Sequence, residues 1–385
     1  MTENQRVWAE INLDNIAHNV KKIRSFVPPT AKLMAVVKAD AYGHGAVECA
    51  KTALCNGADY LGVAIIEEAI KLRQSSISAP ILVLGYTPAL SLANVINHYL
   101  IQTVFNMEMA NALSDIAVSL GKTAKIHIKI DTGMSRLGFM PTEASADEIE
   151  QINRLPGIDC CGIYTHLADA DDLDSDFSAQ QFDKFSYLLG LLSAKGLTKL
   201  TRHFNNSAGI CRFSHMSMDM VRSGILLYGL SPSEEIDISH FDLKPAMSVK
   251  SRISSIKSLS AGVSVGYSRS YFTTKATVVA TVPVGYADGF SRRLSNKGRV
   301  IVNGKFAPII GNICMDQFMI DVSGIAKVKE NTEIILMGGH SGKLVCADEL
   351  AQIEDVINYE ILCKIGKRVP RLYIRDSRPI KLVNL

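Results

Sequence analysis

The chain has 385 residues, a net charge of +3 and 47% hydrophobic residues, which fits two globular domains better than one. There is no long basic run to mark a nucleic-acid partner and no apolar run near the ~20 residues that span a bilayer, and the polar Met1–Arg6 start leads to the expectation that there is no signal peptide. The eight cysteines form no CxxC pair and no Cys/His spacing, so the expectation is a reduced, cytoplasmic protein without a metal site.

Residues 7–11 read as a short strand. Asn12 is placed to cap a helix whose apolar stripe is Leu13, Ile16, Ala17, Val20 and Ile23. The apolar run Leu33–Val37 then reads as a buried strand that ends on Lys38. A charge buried there is costly unless paired, and burial lowers the pKa of an amine, which suits a lysine that forms a Schiff base; the plain alternative is a strand-end lysine that reaches solvent. A short turn rich in Tyr, Gly and His follows, with a helical pattern starting near His44.

A rhythm of strand and helix follows. Strand-like runs fall at 60–65, 81–85, 101–105, 125–130, 158–165, 201–204 and 218–222. Helical patterns fall at 46–56, 67–74, 90–99, 107–120, 142–155 and 177–194, with a short one after Asn206. With the Lys38 strand this makes eight units over ~220 residues, the pattern of a (β/α)8 barrel. A doubly wound open sheet is the weaker alternative, because no GxGxxG follows the first strand.

The pattern changes near Ser231-Pro232, where a polar stretch to Asp242 reads as a linker. Beyond it period-two alternation takes over, and Asn303-Gly304 signals a type I′ hairpin. One late helix is expected at 347–364. The domain expectation is therefore a barrel over 1–240 and a mostly β domain over 241–385, with residues 1–11 a candidate to pack with the latter.

Barrel chemistry sits at the carboxyl ends of the strands. Those ends carry Lys38 and Tyr42, Lys129 and Asp131 with Arg136 beyond, His166, His203 with Asn206 and Ser207, and Arg222 with Gly224 and Ile225. The loops after strands seven and eight are the usual phosphate site of this fold. A lysine suited to a Schiff base and a phosphate cradle in one mouth point to pyridoxal phosphate. Three other features are discounted: the acidic run 169–176 as a solvated loop, Gly338–Gly342 as a turn, and Cys314 as a packing residue.

The stretch Ala35-Val36-Val37-Lys38-Ala39-Asp40-Ala41-Tyr42-Gly43-His44-Gly45 carries the most specific likeness. With Lys129–Gly138, His203 with Asn206-Ser207-Ala208, Val265-Gly266-Tyr267, Gly285–Gly289 and Cys314–Gln317, the chain resembles the alanine racemases of the fold-type III pyridoxal phosphate enzymes. The likeness runs from Trp8 to Arg371.

That resemblance implies roles residue by residue. Lys38 would hold the cofactor and act as one base, and Tyr267 of a partner subunit would be the other. Arg222 would face the pyridine nitrogen. Tyr42, Ser207, Gly224, Ile225 and Tyr359 would hold the phosphate, with Asn206 beside them, and His203 would orient the ring. Arg136 and Met315 would meet the substrate carboxylate, and Tyr286 would narrow the entrance. His166 would tune the tyrosine, Lys129 would be open to carbamylation, and Asp316 would support the site. Two bases on opposite faces solve racemisation by geometry. The resemblance also implies a homodimer that interconverts L- and D-alanine for bacterial-type peptidoglycan. The alternatives are a serine or broader racemase and, less favoured, a decarboxylase of the same fold type, which would carry an acidic residue where Arg222 stands. A third is the small carrier protein sharing the barrel, which has no β domain.

Overall fold

The computed structural model describes residues 1–384, which form two compact units. One comprises residues 16–41 and 46–244, the other, among the described residues, 1–15, 42–45 and 245–384.

In the second unit, β1 (Val7–Asn12) lies between two strands of a large sheet. It pairs antiparallel with Met247–Arg252 and parallel with Arg371–Arg375. Its Trp8 and Ile11 are fully buried. The Asn303-Gly304 hairpin joins Arg299–Val302 to Lys305–Ile310 with both turn residues at positive φ, as a type I′ turn requires. The late helix expected at 347–364 is two helices, Ala347–Glu354 and Asn358–Lys364. Asp355 breaks the run in the left-handed region (φ 56°), where its N–H closes the first helix on Gln352 O.

The first unit is a closed parallel barrel of β2 (Lys32–Val36), β3 (Tyr60–Val63), β4 (Ile81–Val83), β5 (Ile101–Val104), β6 (Ala124–Lys129), β7 (Ile158–Tyr164), β8 (Thr201–His203) and β9 (Met220–Ser223), closed by β9 against β2. Strands covered on both faces must be apolar along most of their length, and Leu33, Met34, Ala35, Ile126, Ile128 and Val221 are fully buried. The interior also admits Gln102, Thr103, His127, Lys129, His203 and Arg222. Buried polar groups on this scale need partners, and those partners build the site.

The stretch from 231 to 242 is not a loose linker. Ile236 and Phe241 are buried, Phe241 packs on Phe26 with ring centroids 4.2 Å apart, and Asn19 donates to Lys244 O at 2.8 Å. Two apolar anchors in a polar run are enough to hold it to the barrel unit. No helix among the described residues is long and apolar enough to cross a membrane.

Candidate active site

Lys38 follows β2 at the carboxyl end of the barrel and is exposed, as a strand-end lysine reaching solvent would be. The reason is the backbone. Ala39, Asp40, Ala41 and Tyr42 all lie in the left-handed region, with φ between 51° and 57°. Such a conformation costs about 1–2 kcal/mol per non-glycine residue. The turn that follows the strand therefore carries Lys38 and Ala39 away from the packed interior. The surroundings hold it there. Glu68 Oε1 accepts from Ala39 N–H at 2.6 Å, Val37 O from Ala41 N–H at 2.9 Å, and Asp40 Oδ1 from Ala46 N–H at 3.0 Å. Strain of this kind persists only where the surrounding structure over-determines it.

Arg222, on β9, is buried. Its Nη1 donates to His203 Nδ1 at 3.0 Å and His203 O at 3.1 Å, and its Nη2 to Thr165 O at 2.8 Å and Phe204 O at 2.9 Å. Its Nε–H donates to nothing among the described residues. No carboxylate there pairs with it. Burial pushes its pKa down to about 10, so it remains a cation at neutral pH. His166 Nδ1 lies 3.5 Å from Nη2. Burial, and then the charges of Arg222, Lys129, Arg136 and Lys38, hold His166 well below its ordinary pKa. Four basic groups from three strand ends, those of β2, β6 and β9, thus act on one imidazole.

His203 is enclosed: its ring stacks on Tyr164 with centroids 4.5 Å apart, and both ring nitrogens have partners within the barrel. Lys129 is buried, with Nζ donating to Ile130 O at 2.8 Å. Arg136 is exposed on a turn that Asp131 organises. The Asp131 carboxylate accepts from the backbone N–H groups of Gly133 (2.9 Å), Ser135 (3.0 Å) and Arg136 (2.9 Å). Burial raises the Asp131 pKa, but these three bonds and Lys129 outweigh it and leave the group below its ordinary value.

The loops after β8 and β9 are pinned together, with Gly224 N–H donating to Ser207 Oγ at 2.8 Å. Asn206 caps the helix Ser207–Arg212 through Gly209 N–H at 2.9 Å. The first-turn N–H groups of Ser207 and Ala208, and that of Ile225 at the start of its own turn, have no acceptor within their helices.

The remaining residues belong to the other unit. Tyr42 is buried against Tyr359, ring centroids 5.9 Å apart, and burial raises its pKa. Tyr286 N–H donates to Cys314 O and Ala287 N–H to Met315 O, which joins the Tyr286 and Met315 segments. Asp316 pairs with Arg368 at 2.8 Å. Tyr267 is 69% exposed, and its hydroxyl has no hydrogen-bond partner among the described residues. Its carbonyl accepts from Asn312 Nδ2 at 2.8 Å.

Sequence reasoning did not assign roles to His127, Tyr164 or Asn312. His127 had a signal available, since it shares a strand face with Lys129 at period two.

Two sequence-family models cover the chain: the alanine racemase N-terminal domain at residues 11–232 and the C-terminal domain at 246–373. The chain belongs to the alanine racemase family. It is 46% identical to the alanine racemase of Clostridium perfringens, over 98% of each chain. The solved structure of alanine racemase from Clostridium difficile 630 superposes with a TM-score of 0.94 at 40% identity, covering 98% of each chain. The family member from Bartonella henselae, described with covalently bound pyridoxal phosphate, has a TM-score of 0.85 at 30% identity, covering 96% of this chain and 99% of that one.

The residues present fit that cofactor. Arg222 has one uncommitted donor, Nε–H, suited to a pyridine nitrogen. The Ser207 hydroxyl accepts from Gly224 and keeps its own proton to give. With the N–H groups of Ser207, Ala208 and Ile225 it offers donors suited to a phosphate.

Proposed function

We propose that this chain is a pyridoxal phosphate-dependent racemase that interconverts L- and D-alanine. The observation that carries the reading is the convergence of Lys38, Lys129, Arg136 and Arg222 on His166 at one barrel rim. A rim so cationic suits two anionic groups, a cofactor phosphate and an amino-acid carboxylate.

Lys38 Nζ would hold the cofactor, Arg222 Nε–H would meet its pyridine nitrogen, and Ser207, Gly224, Ile225, Tyr42 and Tyr359 would take the phosphate, with Asn206 positioning Ser207. Bound pyridoxal phosphate withdraws electrons from the substrate α-carbon and makes its C–H an acid. The chain's own groups do the rest. Arg222 is a cation with no proton to lose at neutral pH, so a nitrogen facing it remains an acceptor. His203 holds that guanidinium, and His166, kept neutral, stands beside it. Arg136 and the Met315 N–H orient the carboxylate. Lys38 Nζ takes or returns a proton on one face and Tyr267 Oη on the other, which gives inversion without either base crossing the plane.

Tyr267 comes from a second copy in this reading. Its support is that the side chain is exposed and its hydroxyl unpartnered within its own chain, although its backbone is held by Asn312. Tyr286, 43% exposed, and Met315, 53% exposed, share that condition and would complete the neighbour's entrance, with Asp316 supporting through Arg368. The product would serve as a D-alanine source for peptidoglycan. A decarboxylase reading is disfavoured because a cation, not a carboxylate, occupies position 222.

The test is D-alanine formation from L-alanine with added pyridoxal phosphate, with L-serine and L-lysine in parallel. Faster turnover of either competitor refutes the substrate assignment.

A further inference from the structure

Inside the barrel, Arg222 leads to a file of two histidines. Arg222 Nη1 meets His203 Nδ1 at 3.0 Å, and His203 Nε2 meets His127 Nδ1 at 3.0 Å. Both rings are fully buried.

The protons in this file have one consistent order. A guanidinium has only donors, so His203 Nδ1 must present its lone pair. A histidine buried beside a fixed cation stays neutral, so its single proton is on Nε2. That N–H donates to His127 Nδ1. His127 is also neutral, since burial and nearby cations bring its pKa down to about 3. Its own proton is then on Nε2, where it has no partner among the described residues. The file therefore runs one way, from the guanidinium inward. The opposite tautomer of His203 would set two donors face to face and turn the guanidinium.

The fold makes room for this arrangement at a cost. A Cβ at Gly162 would lie 2.5 Å from His127 Cε1 and Nε2, so β7 carries no side chain there. An orphaned buried N–H is unfavourable, and an apolar residue at 127 would avoid it.

We infer that His127 is a positioning residue. By accepting from His203 it locks the tautomer that engages Arg222 Nη1, and it thereby leaves Arg222 Nε–H as the donor aimed at the cofactor ring. This rests on the reading of Arg222 given above.

The first test needs no variant. Imidazole nitrogen shifts of the holoenzyme labelled with 15N-histidine should show both His203 and His127 protonated on Nε2 alone; an Nδ1–H form of either overturns the file. The second is the Kd for pyridoxal phosphate. His127→Leu should weaken binding about tenfold or more. His127→Asn, whose Oδ1 can stand in for Nδ1 as acceptor, should recover most of that loss. Unchanged affinity in His127→Leu, or equal loss in both variants, overturns the inference. Arg222→Lys separates the two layers. If cofactor affinity and absorbance are unchanged in it, the ring-facing role of Arg222 fails, and with it the purpose assigned to His127, whatever the tautomers show.

Discussion

Carbon dioxide should capture Lys129. This lysine is 5% exposed, donates to Ile130 O at 2.8 Å and lies 5.2 Å from the centre of the Tyr164 ring. Burial, and then the charge of Arg222, push its pKa down to about 7, with Asp131 opposing. Near pH 7 about half of the Lys129 amines are then neutral, against fewer than about one in a thousand for an ordinary lysine near ~10.4. The nucleophilic form is enriched about a thousandfold. Its lone pair attacks the carbon of CO2 and the nitrogen loses a proton, leaving an N-carboxylate. An ammonium repelled by Arg222 and Arg136 is replaced by an anion that both attract. Holoenzyme equilibrated with 13C-bicarbonate should show one carbamate signal per chain. The sign follows from the proton: the signal grows as pH rises through about 7 at fixed dissolved CO2, because losing the ammonium proton creates the nucleophile. Absence of the signal near about pH 8, or its persistence in Lys129→Met, refutes the reasoning.

Three further outcomes follow from the geometry. If the proposed dimer shares its sites, mixing Lys38→Ala chains with Tyr267→Phe chains under subunit exchange should recover about a quarter of wild-type activity, because half of such dimers would contain one intact site; no recovery would place both bases in one chain. Asp131→Asn puts a donor opposite the Arg136 N–H and loses one charge-assisted bond, so KM for alanine should rise about tenfold while cofactor affinity changes little. The Asp131 pKa is held below its unfolded value, so its contribution is present above the ordinary carboxylate range and fades as pH falls through the folded value; a KM unchanged by the substitution sinks this account of Arg136. Gly45→Ala would put a Cβ 1.8 Å from Tyr373 Oη at φ +93°, whereas Gly196→Ala (φ +84°) meets nothing within 4 Å. The first should cost about 3 kcal/mol and the second about 1 kcal/mol, and equal shifts in thermal midpoint would contradict the steric argument.

Much of the barrel was legible because its signal is local. A parallel strand buried on both faces must be an apolar run, and the helix between must carry a stripe, so the alternation of 60–63 with 66–74, or 101–104 with 107–119, follows from composition and period alone. Asn303-Gly304 was legible for the same reason, since the two residues themselves supply the positive φ that the turn needs. Where a strand end is recognised, its chemistry follows, and Lys38, Lys129, His166, His203 and Arg222 all lie at or near the carboxyl ends of their strands.

Other features depend on long-range partners and have no local signal. Four successive left-handed residues after Lys38 contradict every local preference of Ala and Tyr; they persist because Glu68, distant in sequence, accepts the Ala39 N–H, and because Val37 and Asp40 close the turn. The exposure of Lys38 follows from that turn. The helix break at Asp355 and the anchoring of 231–242 through Ile236 and Phe241 arise likewise from packing against distant segments. Sequence by itself determined which residues could do chemistry and on which strand ends they stand, because residue type and period are properties of the chain. Tertiary structure decided their protonation and aim. The burial of Arg222, the direction of the His203–His127 file and the lowered pKa of Lys129 depend on which groups meet in a low-dielectric interior, and no stretch of chain contains that information alone.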